Sequence, residues 1–217
     1  MTNPNHRWDV LPKEAVEIQR KLAGRVVRDS TMPEVITVAG IDTSYRKGTG
    51  RCAVVVLKYP KLEVLESVVA IQPIDFPYVP GLLTFREGPV VIEALSKLSS
   101  MPDLLVFDGQ GIAHPRRFGI ASHIGLLVDT PSIGCAKTKL VGKYEEPRRK
   151  RGSVTFLSDK GETIGAVVRT RNGVKPVFVS IGHRVSLQDS IDFILNCCRG
   201  YRLPETTRMA DKLAGKW

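Results

Sequence analysis

The chain has 217 residues, 42% apolar and 25% charged, the balance of a single soluble globular domain, which excludes a disordered, collagen-like or coiled-coil chain. Its longest uninterrupted apolar stretch, Ala53 to Leu57, is far shorter than the roughly 20 residues that cross a bilayer. Lys and Arg outnumber Asp and Glu by 32 to 22, a net charge of +10 that suits a polyanionic partner. The N-terminus, MTNPNHRWDVLPKEAVEIQ, has polar and acidic residues where a secretory signal needs an apolar core, so a cytoplasmic protein is expected. Cys52, Cys135, Cys197 and Cys198 form no CxxC pair and read as buried free thiols.

In chain order, Ala15, Ile18, Leu22 and Val26 recur near the helical period and predict an amphipathic helix over about 13–28. Three strand-like runs follow, Val35 to Ile41, Arg51 to Lys58 and Leu62 to Ile71. The turn Lys47 to Gly50 and the tripeptide Tyr59-Pro60-Lys61 separate them, which predicts an antiparallel meander. After an irregular stretch from Asp75 to Phe85, a helix is expected from about Arg86 to Leu98, with Pro89 in its first turn. Asp103 to Asp108 reads as a central parallel strand ending in an acid, and the Gly109-Gln110-Gly111 turn leads to a helix over Phe118 to Leu127. Pro131 to Ala136 is the next strand. A loop over 138–152 precedes strand-like runs at Val154 to Leu157, Thr163 to Arg169 and Val177 to Ile181. Ser186 and Asp189 open a further helix in the manner of a capping box, and a last helix covers about Thr206 to Gly215. No repeat or linker interrupts the pattern, so one mixed α/β domain over 1–217 is expected.

Several side chains fit a purely structural account badly. Asp42 shares a strand face with Val38 and Ile36, so it needs a cation or the strand's rim, unless it only starts a turn in Asp-Thr-Ser. Asp108 stands at the C-terminal end of a buried strand, where open α/β sheets place ligands. Glu87 could merely complement a helix dipole, and Asp211 could pair with Arg208. If these four acids converge, they form an oxygen-rich cluster without His or Cys, the donor set of Mg²⁺ or Mn²⁺, and in a basic protein that points to phosphodiester hydrolysis. Lys137 could then stabilise phosphate charge, or it is one more solvated lysine of a run in which Lys137, Lys139, Lys143, Arg148, Arg149, Lys150 and Arg151 fall within fifteen residues.

The stretch from Asp75 to Phe85 is too apolar for an ordinary loop. Pro77 and Pro80 stiffen it and set Tyr78 and Val79 at its tip, either as a wedge between stacked bases or as a loop folded onto the core. His114 touches phosphate or orders its turn, and His123, inside a helix, reads as core-edge. Walker A, GxGxxG and GxSxG patterns are absent.

The phrases GIDTSY (40–45), PYVPGLLTFREGP (77–89), DGQGIAHPRRFGIASHIG (108–125), GCAKTKL (134–140) and LPETTRMAD (203–211) together resemble the endonuclease V family over about residues 35–212. The resemblance implies a ribonuclease H-like fold, a mixed five-stranded sheet with helices on both faces. It implies Mg²⁺-dependent cleavage of the second phosphodiester bond 3′ to a deaminated base, chiefly deoxyinosine, leaving 3′-hydroxyl and 5′-phosphate ends. By motif, Asp42 and Asp108 are the expected metal ligands and Glu87 the third catalytic carboxylate. Tyr78 is the expected wedge and Lys137 the phosphate-contacting lysine. Gly81, Leu83, Gly109, Gly111, Ile120 and Leu140 belong to the expected hypoxanthine pocket. Some family members carry His at the position of Asp211. The expected partner is damaged DNA, double- or single-stranded, met by a monomer; inosine-containing RNA is the alternative substrate, and a silent nucleic-acid-binding protein the alternative class.

Overall fold

The computed structural model describes residues 6–30 and 34–217. In chain order its elements are α1 (Pro12–Ala23), β1 (Thr37–Arg46), β2 (Thr49–Lys58), β3 (Glu63–Pro73), α2 (Leu83–Ser96), β4 (Leu104–Phe107), α3 (Ile120–Val128), β5 (Ser132–Ala136), β6 (Val154–Asp159), β7 (Glu162–Val168), β8 (Val177–His183), α4 (Leu187–Asn196) and α5 (Glu205–Ala214).

Alternation along β1 sends Val38 into one apolar cluster and Ala39 and Ile41 into another, so both faces of the strand must be covered. α2 and α3 cover one face, through Val90, Val91, Ala94 and Leu95 and through Ile120, Ala121, Ile124 and Val128. α4 and α5 cover the other, through Ile191, Ile194 and Ala210. β1, β2 and β3 form the expected antiparallel meander, while β4 pairs parallel with β1 and β5 parallel with β4. The order β3-β2-β1-β4-β5 is the mixed core that a ribonuclease H-like fold requires, and helices flank both its faces.

The sheet does not stop at five strands. β8 pairs antiparallel on the open edge of β5, and β7 and β6 continue it, giving eight strands in the order β3-β2-β1-β4-β5-β8-β7-β6. The reason is burial: every residue of β8 is buried, and such a strand needs neighbours on both sides. Other differences are local. The turn between β1 and β2 is only Lys47-Gly48, both at positive φ, so β1 runs five residues beyond Ile41 and Asp42 lies within it. α1 stops at Ala23, with Gly24 as its C-cap, and Val26 reaches the core from an extended segment whose Val27 N–H bonds His183 Nδ1. α2 starts three residues early, which puts Pro89 inside the helix rather than in its first turn. All four cysteines are buried and free, and among the described residues no helix is long and apolar enough to cross a membrane.

Candidate active site

The parallel pairing of β1 with β4 ends at Ile41 and Phe107, and the Asp108 N–H closes the ladder on the Ile41 carbonyl at 3.1 Å. The next residue on each strand is an aspartate. Asp42 follows the Val38 phase of β1 and Asp108 the Val106 phase of β4, so both carboxylates leave the sheet toward α5. α5 lies close against β1 because residue 40 is glycine: a Cβ there would lie 2.0 Å from the Thr206 carbonyl oxygen. Five residues further along α5, Asp211 completes a cluster whose carboxylate oxygens lie within 4.8 Å of one another. Lys137, just past β5, bridges it, with Nζ 2.5 Å from Asp108 and 2.9 Å from Asp211. Arg208 instead pairs with Glu205, which leaves Asp211 to the cluster.

With all three carboxylates ionised, the one ammonium leaves two negative charges uncompensated, the charge of one divalent cation. Burial, with Asp108 and Asp211 nearby, pushes Asp42 up to about 7, and burial also raises Asp108 against the opposing pull of Lys137. Lys137 resists its own partial burial because its two carboxylate partners hold it charged. Oxygens sharing one Mg²⁺ stand at most about 4.2 Å apart. The cluster therefore needs only slight closure to hold a metal ion, and its all-oxygen donors suit a hard one.

Glu87 stands apart from this cluster. It is in the second turn of α2, too deep for the helix-dipole account, and it is buried with Tyr45 Oη donating to its Oε1. Burial, opposed by that bond, lifts it to about 8. No periodicity marks Tyr45, in the GIDTSY phrase; its ring in turn lies 4.8 Å under the Arg86 guanidinium.

Beside the acids opens a cavity of about 360 Å³. Asp42, Asp108 and Lys137 line it together with Tyr78, Val79, Pro80, Gly81, Leu83, Gly109, His114, Ile120 and Leu140. Pro77, Glu87, Gly111 and Asp211 do not. Gly111 is held away, its N–H donated to Ser180 Oγ and its α-carbon pressed on the Ile181 carbonyl. Gly109 does face the cavity, where a Cβ would come within 2.6 Å of Ile120 Cγ2. Thr84, Gln110, Gly119, Ala136, Thr138 and Lys139 also line it; all six lie within the motif phrases, but no periodicity marks them.

The apolar loop divides. Phe76, Leu82 and Phe85 are core, whereas Tyr78 is 73% exposed at the cavity's edge. His114 uses both nitrogens within the protein: Nδ1 accepts from the Arg116 N–H, so Nε2 carries the proton and donates to the Gly81 carbonyl at 2.9 Å. Burial depresses it to about 4, keeping it neutral. His123 is fully buried against Trp8, Phe85 and Phe118, deeper than core-edge. Arg148, Arg149, Lys150 and Arg151 are all exposed.

The raised carboxyls set the pH response. Asp42 and Glu87 sit above their unfolded values, so between pH 4 and 8 these two carboxyls retain protons in the native state that the unfolded chain has lost, and their contribution to the stability of the metal-free protein falls as pH rises, against the opposite contribution of the buried, neutral histidines. A divalent cation must displace the Asp42 proton below about pH 7 and meets a bare carboxylate above it. Added Mg²⁺ should therefore raise the melting temperature more at pH 8 than at pH 5, by several degrees. Equal increments at the two pH values would exclude these carboxyls as the binding groups.

A mixed sheet whose central parallel strands end in two aspartates, beside a lysine and a cleft, is the arrangement expected of an acidic-centre nuclease of the ribonuclease H-like class. The family profile described as Endonuclease V matches residues 20–212. An endonuclease V of Roseiflexus sp. (strain RS-1) is 55% identical over 207 residues, covering 95% of this chain and 93% of its own. The crystal structure of the Streptomyces avermitilis endonuclease V superposes with a TM-score of 0.91 at 44% identity, covering 95% of this chain and 92% of that one. The Ciona intestinalis endonuclease V, solved with a 24mer DNA containing an inosine followed by a ribo-adenosine, superposes with a TM-score of 0.80 at 28% identity, covering 94% and 96%. This chain belongs to the endonuclease V family and is a nuclease.

Proposed function

We propose that the chain hydrolyses the second phosphodiester bond 3′ to deoxyinosine in double- or single-stranded DNA, leaving 3′-hydroxyl and 5′-phosphate ends, as a single-domain cytoplasmic monomer using Mg²⁺ or, in its place, Mn²⁺. One observation carries this reading: Asp42 and Asp108 line the same cavity as Gly81, Leu83, Gly109, Ile120 and Leu140, so a base held there keeps its own backbone next to the acids. Extruding a weakly paired hypoxanthine costs less than extruding a normal base. In this reading the wall at Gly109 and Ile120 would exclude the 2-amino group of guanine, and backbone groups facing O6, N7 and N1–H would reject adenine, which carries a donor amine where hypoxanthine carries the O6 acceptor.

In this reading Asp42 and Asp108 hold the ion, which supplies an activated water and charge stabilisation at the phosphate. Asp211 completes the cluster and pairs with Lys137. Lys137, whose ammonium lies against Asp108 and Asp211, would be the group that contacts the phosphate. Glu87, the third carboxylate of the resemblance, is buried behind the cavity, where it would act on Asp42 and Asp108 through its charge. Gly111 supports the pocket from behind.

Tyr78 is the wedge, stiffened by Pro77 and Pro80 and flanked by Val79. Because the ring is exposed, Tyr78→Ala should change stability by less than about 0.5 kcal/mol. Selectivity for deoxyinosine over normal duplex should fall by roughly one to two decades, the contribution of a base stacked on an aromatic ring. A large drop in melting temperature with selectivity intact would show a core role instead.

The direct test is a nicking assay in Mg²⁺ on a duplex with one deoxyinosine, beside the matching inosine RNA. A nick at the second bond 3′ to the lesion is expected, and no nick on either substrate would end this reading. The RNA arm addresses the second reading, an inosine-specific endoribonuclease, which the ribo-adenosine after the inosine in the Ciona complex favours.

A further inference from the structure

The carbonyl of Gly81, directly after the Pro77-Tyr78-Val79-Pro80 tip, accepts three side-chain donors. Arg116 Nη2 reaches it at 2.7 Å, His114 Nε2 at 2.9 Å and Gln19 Nε2 at 3.0 Å. Gln19 comes from α1, is completely buried, and lies just outside the residues the family profile matches. A buried amide is costly unless its polar atoms are met, and here they are. Its Oε1 accepts from Arg116 Nε at 2.6 Å, and its Nε2 also donates to the Phe118 carbonyl at 3.2 Å. The arginine on one side and two carbonyls on the other leave the amide a single workable orientation.

The geometry places this amide between the two halves of the base pocket. Gly81, at φ +81°, turns the chain out of the tip, and Phe118 leads into α3, which presents Ile120 to the cavity. At the other end of the tip, Arg86 Nη1 holds the Phe76 carbonyl at 2.8 Å. Tyr78 is thus carried on four residues, two of them proline, clamped at both ends.

We infer that Gln19 is a positioning residue for lesion capture: it ties the wedge loop to the pocket floor, so that Tyr78 and the cavity engage the extruded base in one geometry. This role rests on the base-pocket reading above. It acts through Gly81 and Phe118 and touches none of the aspartates, so it bears on capture and not on the hydrolytic step.

The test is single-turnover nicking of a deoxyinosine duplex in Mg²⁺ by Gln19→Met, which keeps the volume and removes the amide. Arg116→Gln, at a partly exposed residue, weakens the same clamp from its other side and serves where Gln19→Met does not fold. The enzyme concentration at half-saturation should rise about tenfold, the order of one lost positioning hydrogen bond, with the maximal rate and the half-saturating Mg²⁺ within about twofold of wild type. Unchanged half-saturation in a folded variant overturns the inference. So does a parallel loss of maximal rate and Mg²⁺ response, which marks general collapse of the site. If the wild-type protein itself leaves the inosine duplex intact, the proposed function has failed and the positioning role with it.

Discussion

Asp42→Asn, and separately Asp108→Asn, should lower nicking of a deoxyinosine duplex in Mg²⁺ on the order of a thousandfold or more, while lesion binding changes little. Either substitution replaces a metal-ligand oxygen charge by a neutral amide of nearly the same shape, so the cavity wall is preserved while charge stabilisation at the phosphate is lost. A second readout follows from the electrostatics. Asp42 is held at about 7 by burial and by Asp108 and Asp211, so its ionised form is a burden on the metal-free fold at pH 8. Asp42→Asn should therefore melt no lower than wild type in chelator at pH 8, and it should lose most of the stabilisation that Mg²⁺ gives wild type. Nicking at the wild-type rate by either variant would sink the assignment of the metal site.

Gly40→Ala should be among the most damaging single-methyl additions outside the acids. The new Cβ would lie 2.0 Å from the Thr206 carbonyl oxygen and 2.1 Å from its carbon, both backbone atoms that no rotamer change can move aside. α5 must retreat from β1, at a cost of about 3 kcal/mol, the upper end for overpacking because the colliding atoms are main chain. For a chain of this size that lowers the melting temperature by roughly 6 to 12 °C. Since α5 carries Asp211, the contact of 2.9 Å with Lys137 should be lost as well, and Mg²⁺ affinity should fall with stability. A variant with wild-type melting and Mg²⁺ binding would show that α5 is not pinned at this crossing.

The sequence by itself determined the elements and most of the site. Apolar alternation and helical spacing are local properties, and they located every strand and helix to within a few residues, except where a cap or a tight turn decides the boundary, as at Gly24, Leu82 and Lys47-Gly48. Asp42 and Asp108 were legible because a carboxylate in phase with buried apolar residues must have a partner or a rim. The tertiary structure alone decided which long-range partners those groups meet. Nothing in the local pattern of β8 says that it pairs with β5 and extends a five-stranded core to eight. The spacing of Arg208 and Asp211 allowed them to pair, but in the fold Arg208 takes Glu205 and Asp211 meets Lys137 from beyond β5. Tyr45 beneath Glu87, 42 residues away, and Gln19 on Gly81, 62 residues away, leave no trace in any periodicity, because a polar side chain's hydrogen-bond partner is set by where the packed elements bring it and not by its neighbours in the chain.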